Sequence, residues 1–185
     1  MLPTVTILRH AEKQLGDQPP FSVGPDGIRD PESLSVRGWQ RAGALVGLFV
    51  AGPPAASESS LPSPTHLFAS RVGETASKSR RPRQTLEPLS ERLGIDIDGR
   101  FLKAQIDELV AAIRTTEGVA VVAWEHKMIP LIGTLLAGDL ATIPSVWPDN
   151  RYDLLWMFEP DESGTGYRFR QVPQMLLAGD RAQTI

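Results

Sequence analysis

Apolar positions recur along the chain with two different periods, and the order of those periods predicts its elements. Thr4 to Leu8, "TVTIL", has the β-branched composition of a short buried strand. Residues 14–33 are rich in Gly, Pro and Asp without periodicity, which predicts a long loop of the kind that shapes a site. Ser35 then stands as an N-cap before Trp39, Ala42, Leu45, Val46 and Phe49 at helical spacing, so a helix is expected over 36–50. The Pro/Ser-rich stretch 51–65 reads as a surface connector too short to link two domains, and "HLFAS" after it as a buried strand.

"RVGETASKSR" shows no pattern, whereas Pro82 opens a segment with Leu86, Leu89 and Leu93 on one stripe and Gly94 as its stop. A short strand "IDI" at 95–97 and a helix over 103–115, carrying Ile106, Leu109, Val110 and Ile113, are expected next. "GVAVVAW" is apolar throughout, as in a central parallel strand with both faces covered, and it stops at Glu125-His126. A helix over 127–137 tolerates Pro130 only in its first turn, and "DLLWMFE" and "GYRFRQV" read as two closing strands. This alternation predicts one α/β domain over 1–185, a three-layer α/β/α sandwich whose mostly parallel central sheet carries helices on both faces.

Composition narrows the function classes. A net charge of −3 and a pI near 5.6 argue against nucleic-acid or membrane-surface binding by bulk electrostatics. The absence of cysteine removes disulfides and thiolate metal sites and suits a reducing cytoplasm. No basic, apolar leader and no apolar run of about 20 residues is present, so a soluble cytoplasmic protein without membrane partners is expected. Oligomeric state is left open.

The chemistry begins with "LRHAEK". Arg9 and His10 follow the first strand directly, and His126 ends the most apolar one. Ligands of open α/β sheets collect outside the carboxyl ends of the strands, so neighbouring strands would bring both imidazoles and Arg9 into one pocket. The basic run "KSRRPR" before Pro82 can add a guanidinium, and Arg forks with imidazoles suit a phosphate dianion. No His-Glu-x-x-His or carboxylate cluster supplies a metal, and no cofactor is expected.

These residues resemble the signature of the histidine phosphatase superfamily, also called phosphoglycerate mutase-like. "LRHAEK" is similar to its Arg-His-Gly element with Ala11 for Gly, and "LSVRGWQRA" to its Leu-Ser/Thr element followed by a Gly and an Ala-bearing helix. Ser70 with "RPRQT", and "VAVVAWEH", resemble the third and fourth elements, in the family's order, over residues 4 to about 136. The resemblance implies a phosphomonoester hydrolase that is metal-independent: His10 attacks phosphorus, and Arg9, Arg81 and His126 hold the phosphoryl oxygens. A phosphate-binding module with little turnover, or a phosphoryl mutase, would share these residues. The substrate implied is a small phosphate ester or a phosphoprotein.

Two places depart from the pattern. Family members often carry an acidic Glu about twenty residues beyond the Arg-x-x-Gln-Thr helix start, where this chain has Ala104 and Gln105. Glu12 and Glu125 are the candidate proton donors beside the histidines, with Asp107 and Glu108 behind them. Glu125 requires that its strand has already ended, because adjacent strand residues face opposite ways. Lys13 and Gln105 are candidate substrate contacts. The segment between Ser70 and Arg81 is longer than in the family, making Arg71, Arg80 and Arg81 rivals, with spacing to Thr85 favouring Arg81. His66 has no motif around it, and Trp124, Trp147 and Trp156 read as core or pocket wall.

Overall fold

The computed structural model describes residues 1–50, 61–73, 78–138 and 142–185. Most of the Pro/Ser-rich connector and residues 74–77 of the segment before Arg81 therefore lie outside the described residues. The elements run β1 Thr4–Arg9, α1 Val36–Val50, β2 His66–Ala69, α2 Arg81–Leu93, β3 Ile97–Asp98, α3 Ile106–Arg114, β4 Val119–Trp124, α4 Ile129–Ala137, β5 Leu154–Pro160 and β6 Tyr167–Pro173.

The strands form one sheet in the order β3-β2-β4-β1-β5-β6. The three pairings from β3 to β1 are parallel, and the two that attach β5 and β6 are antiparallel. The alternation of the buried strands supplies both faces. Val5 and Ile7 of β1 with Val122 and Trp124 of β4 pack against Leu109 and Ile113 of α3 and Ile129 and Ile132 of α4. Leu8, Val121 and Ala123 face the other way, onto Leu45 and Phe49 of α1 and Leu86 and Leu89 of α2. Truncating any one of these buried leucines to Ala is expected to cost about 2–5 kcal/mol. Trp124, Trp147 and Trp156 all belong to the first of the two cores.

Three element starts differ from the sequence pattern by two residues or more, each for a local reason. β3 begins at Ile97 because the Ile95 N–H still bonds the Ser90 carbonyl (3.2 Å) behind the left-handed Gly94 that ends α2. α3 begins at Ile106, not 103, because Leu102 N–H donates to Gln105 Oε1 (2.9 Å) and Gln105 N–H to the Leu102 carbonyl (2.9 Å), closing a turn first. α4 begins at Ile129 after a turn closed by Met128 N–H on the Glu125 carbonyl (3.0 Å), with Pro130 in its first turn.

Candidate active site

β1 and β4 are direct parallel neighbours with Arg9 opposite Trp124, so their carboxyl ends are level. His10 N–H continues the ladder onto the Trp124 carbonyl at 3.0 Å, and its ring enters the space beyond. The imidazole is buried and its Nδ1 lies 2.8 Å from the Ala11 carbonyl. A carbonyl only accepts, so Nδ1 carries the proton and Nε2 keeps its lone pair. Burial, reinforced by the charges of Arg9, Arg81 and Lys13, lowers its pKa from 6.5 to about 3 and keeps the ring neutral.

The segments that resemble family motifs are interlocked around this ring. Ala11 N–H donates to Thr85 Oγ1 (2.8 Å), whose own hydroxyl bonds the Arg81 carbonyl (2.7 Å), docking the start of α2 on the His10 loop. Gln84 accepts from Leu34 N–H (3.0 Å) and donates to Ser33 Oγ (2.8 Å). Ser35 N–H bonds the Glu12 carbonyl (2.9 Å), and its hydroxyl caps α1 by accepting from Gly38 N–H (3.2 Å). A Cβ on Gly38 would stand 2.3 Å from the Glu12 carbonyl oxygen, so only glycine allows α1 this close.

A cavity of about 360 Å³ opens over His10, lined also by Lys13, Glu32, Ser70, Lys78, Ser79, Arg81, Pro82, Lys103, Glu125 and His126. Four cationic side chains face two carboxylates there, in a chain whose net charge is −3. Arg81 is held by Ser33 O (3.2 Å), Ser79 Oγ (3.2 Å) and Pro31 O, with Glu32 at 3.8 Å. Of its rivals, Arg80 is exposed and pairs with Asp30 at 3.5 Å, and Arg71 is exposed; neither lines the cavity. Arg9 lies in the adjoining cavity, which shares Lys13, Glu125 and His126 with the first. Its guanidinium stacks 3.9 Å over the Tyr152 ring and bonds the Asp149 carbonyl, while Nε has no partner among the described residues. His126 is buried and contacts the Asp149 carboxylate; burial and then the Arg9 charge lower its pKa.

The carboxylates change rank. Glu12, expected as a proton donor, lines neither of these cavities and is held by buried Arg41 (2.8 Å) and by Arg37 (3.3 Å), because Arg41 on α1 needs a counter-charge once it is buried. Asp180 of the C-terminal segment completes this network at 2.7 Å from Arg41, which with backbone N–H bonds lowers the Asp180 pKa to about 2 despite its burial. Glu125 lines both cavities, since β4 ends at Trp124 and frees the next residue from the strand alternation, and it pairs with Lys103 at 3.2 Å. Gln105, expected to touch substrate, spends its amide on the turn before α3 and on Glu108 (3.4 Å), and lines neither cavity. Asp107 and Glu108 are exposed on α3, and His66 sits at the start of β2, the opposite edge of the sheet from His10.

Glu32, Lys103, Asp149 and Tyr152 are site residues that the sequence pattern did not single out. They lie outside the helices and strands; Glu32 falls in the long loop expected to shape a site, and Lys103 stands beside the Ala104-Gln105 departure. Among the described residues no three His, Asp or Glu side chains group as metal ligands, and no helix is long and apolar enough to cross a membrane.

No protein-family model and no curated protein sequence matches the chain. Solved structures do. The protein histidine phosphatase SixA, complexed with tungstate, is 18% identical, with 92% of this chain and 97% of that chain covered and a TM-score of 0.55. A mycobacterial glucosyl-3-phosphoglycerate phosphatase, in complex with VO3, is 15% identical, with 92% and 98% covered and a TM-score of 0.55. Both are histidine phosphatase superfamily members, and the chain shares their fold.

Proposed function

We propose that this single domain is a phosphomonoester hydrolase of the histidine phosphatase superfamily, working through a phosphohistidine at His10 and without a metal. The observation that carries the reading is the His10 ring itself: buried, neutral, fixed by Nδ1–H on the Ala11 carbonyl, at the wall of a cation-rich cavity. Nε2 attacks phosphorus, the ester P–O bond breaks, and the leaving oxygen takes a proton. Water then attacks phosphorus, the P–N bond breaks, and inorganic phosphate leaves. Arg81, Arg9 and His126 surround the phosphoryl oxygens and stabilise their charge. Glu125, which lines both cavities, is the proton donor best placed for the leaving oxygen.

The substrate in this reading is a phosphate ester or phosphoprotein, with no nucleic-acid or membrane partner, met in the cytoplasm. The test is turnover of a phosphomonoester panel with trapping of an acid-labile phosphoenzyme, in the presence and absence of EDTA. The wild type should turn over and form the phosphoenzyme with chelator present, and His10→Asn, which keeps an amide near the Ala11 carbonyl, should do neither while staying folded. Turnover in folded His10→Asn, or activity that EDTA abolishes and a divalent ion restores, would remove the mechanism.

A further inference from the structure

We infer that Tyr152 is a positioning residue for this site, holding Arg9 in its working orientation beside His10 through its ring; the inference rests on the phosphatase reading above. β5 runs antiparallel to β1 with Leu8 opposite Leu155, which directs the chain before β5 back over the residues that follow β1. Tyr152 lies in that returning segment. Its ring carries the Arg9 guanidinium at 3.9 Å and meets the His10 ring at a centroid distance of 6.2 Å, tilted by 51°. A buried guanidinium with one face on an aromatic ring keeps its N–H edges free for an anion, and Arg9 Nε is such an unpartnered edge among the described residues.

The backbone that carries the ring is fixed from behind. Gln174, buried, donates its amide to the Tyr152 carbonyl (3.1 Å) and the Leu154 carbonyl (3.3 Å), and accepts from Arg41 Nη1 (2.9 Å). The Tyr152 hydroxyl is buried without a hydrogen-bond partner among the described residues. The aromatic face does the positioning, then, and the hydroxyl is dispensable.

The test compares Tyr152→Phe and Tyr152→Leu, alone and in an Arg9→Ala background, by vanadate and inorganic phosphate affinity, by the kcat and KM for an aryl phosphate, and by thermal unfolding. Tyr152→Phe should match the wild type within about twofold, and Tyr152→Leu should lose about tenfold in vanadate affinity and kcat/KM while remaining folded, the scale of a desolvated cation–π contact. In the Arg9→Ala background the Leu substitution should add less than about twofold, because its effect passes through Arg9. Unchanged vanadate affinity in folded Tyr152→Leu, or the same loss with and without Arg9, overturns the inference. So does a loss in Tyr152→Phe equal to that in Tyr152→Leu, which would assign the work to the hydroxyl. A wild type that binds neither oxyanion overturns the phosphatase reading and this inference together, whereas tight wild-type binding with an inert Tyr152→Leu overturns only the latter.

Discussion

The buried imidazole of His10 makes a prediction about stability as well as reactivity. In the unfolded chain it binds a proton near pH 6.5, whereas in the fold burial and three nearby cations delay protonation to about pH 3. Between those values the unfolded state holds one proton more than the native state, so the contribution is intact above pH 6.5 and is lost as the pH falls through about 3. Linkage over that interval gives roughly 2 kcal/mol lost at pH 5 and roughly 5 kcal/mol once the pH is below the folded value, a large share of a typical stability of 5–15 kcal/mol. The assay is urea unfolding of wild type and His10→Asn at pH 7.5, 6 and 5. The wild type should lose about 2 kcal/mol more than the variant between pH 7.5 and 5, since groups other than His10 titrate in both. In the same range kcat/KM should not fall on account of His10, which stays a free base. A stability gap that is independent of pH, or a His10 NMR resonance titrating near pH 6.5, refutes the placement of this ring as a desolvated neutral nucleophile.

Other substitutions probe the surrounding framework. Arg41→Met leaves the buried Glu12 and Asp180 only the half-exposed Arg37 as counter-charge and should cost about 3–5 kcal/mol in urea unfolding, with normal stability in the variant arguing that the network is solvated. Gly38→Ala sets a methyl against the Glu12 backbone and should cost about 1–3 kcal/mol and reduce turnover, because neither the loop after His10 nor α1 can yield without moving the site. Glu125→Gln should steepen the dependence of kcat/KM on leaving-group pKa, with alkyl phosphates losing about 10²-fold or more, while Glu12→Gln leaves that slope unchanged and lowers stability instead; the reverse pattern would return the acid role to Glu12.

Much of the fold was legible in the sequence because its periodicities are strong and local. A helix read over 36–50 is α1 at Val36–Val50, the Gly94 stop is a left-handed cap, and the uniformly apolar "GVAVVAW" is β4 at the centre of the sheet. Spacing to Thr85 singled out Arg81, which lines the cavity where Arg71 and Arg80 do not. Element starts shifted where a side chain closed a turn ahead of a helix, as Gln105 does before α3, since periodicity does not register such a bond. The carboxylates needed the tertiary structure. Two residues after His10, Glu12 has the appearance of a catalytic acid, but its partners Arg37 and Arg41 arrive 25 and 29 residues later on α1, and the buried Arg41 guanidinium claims both Glu12 and Asp180. Tyr152 carries no local signal at all: it reaches Arg9 and His10 only because β5 returns antiparallel to β1, a pairing set by the packing of the whole sheet. The chain's local patterns determine which residues can be helix, strand and strand-end imidazole. Which charges are buried together, and therefore which are free to react, is decided by contacts between segments far apart in sequence.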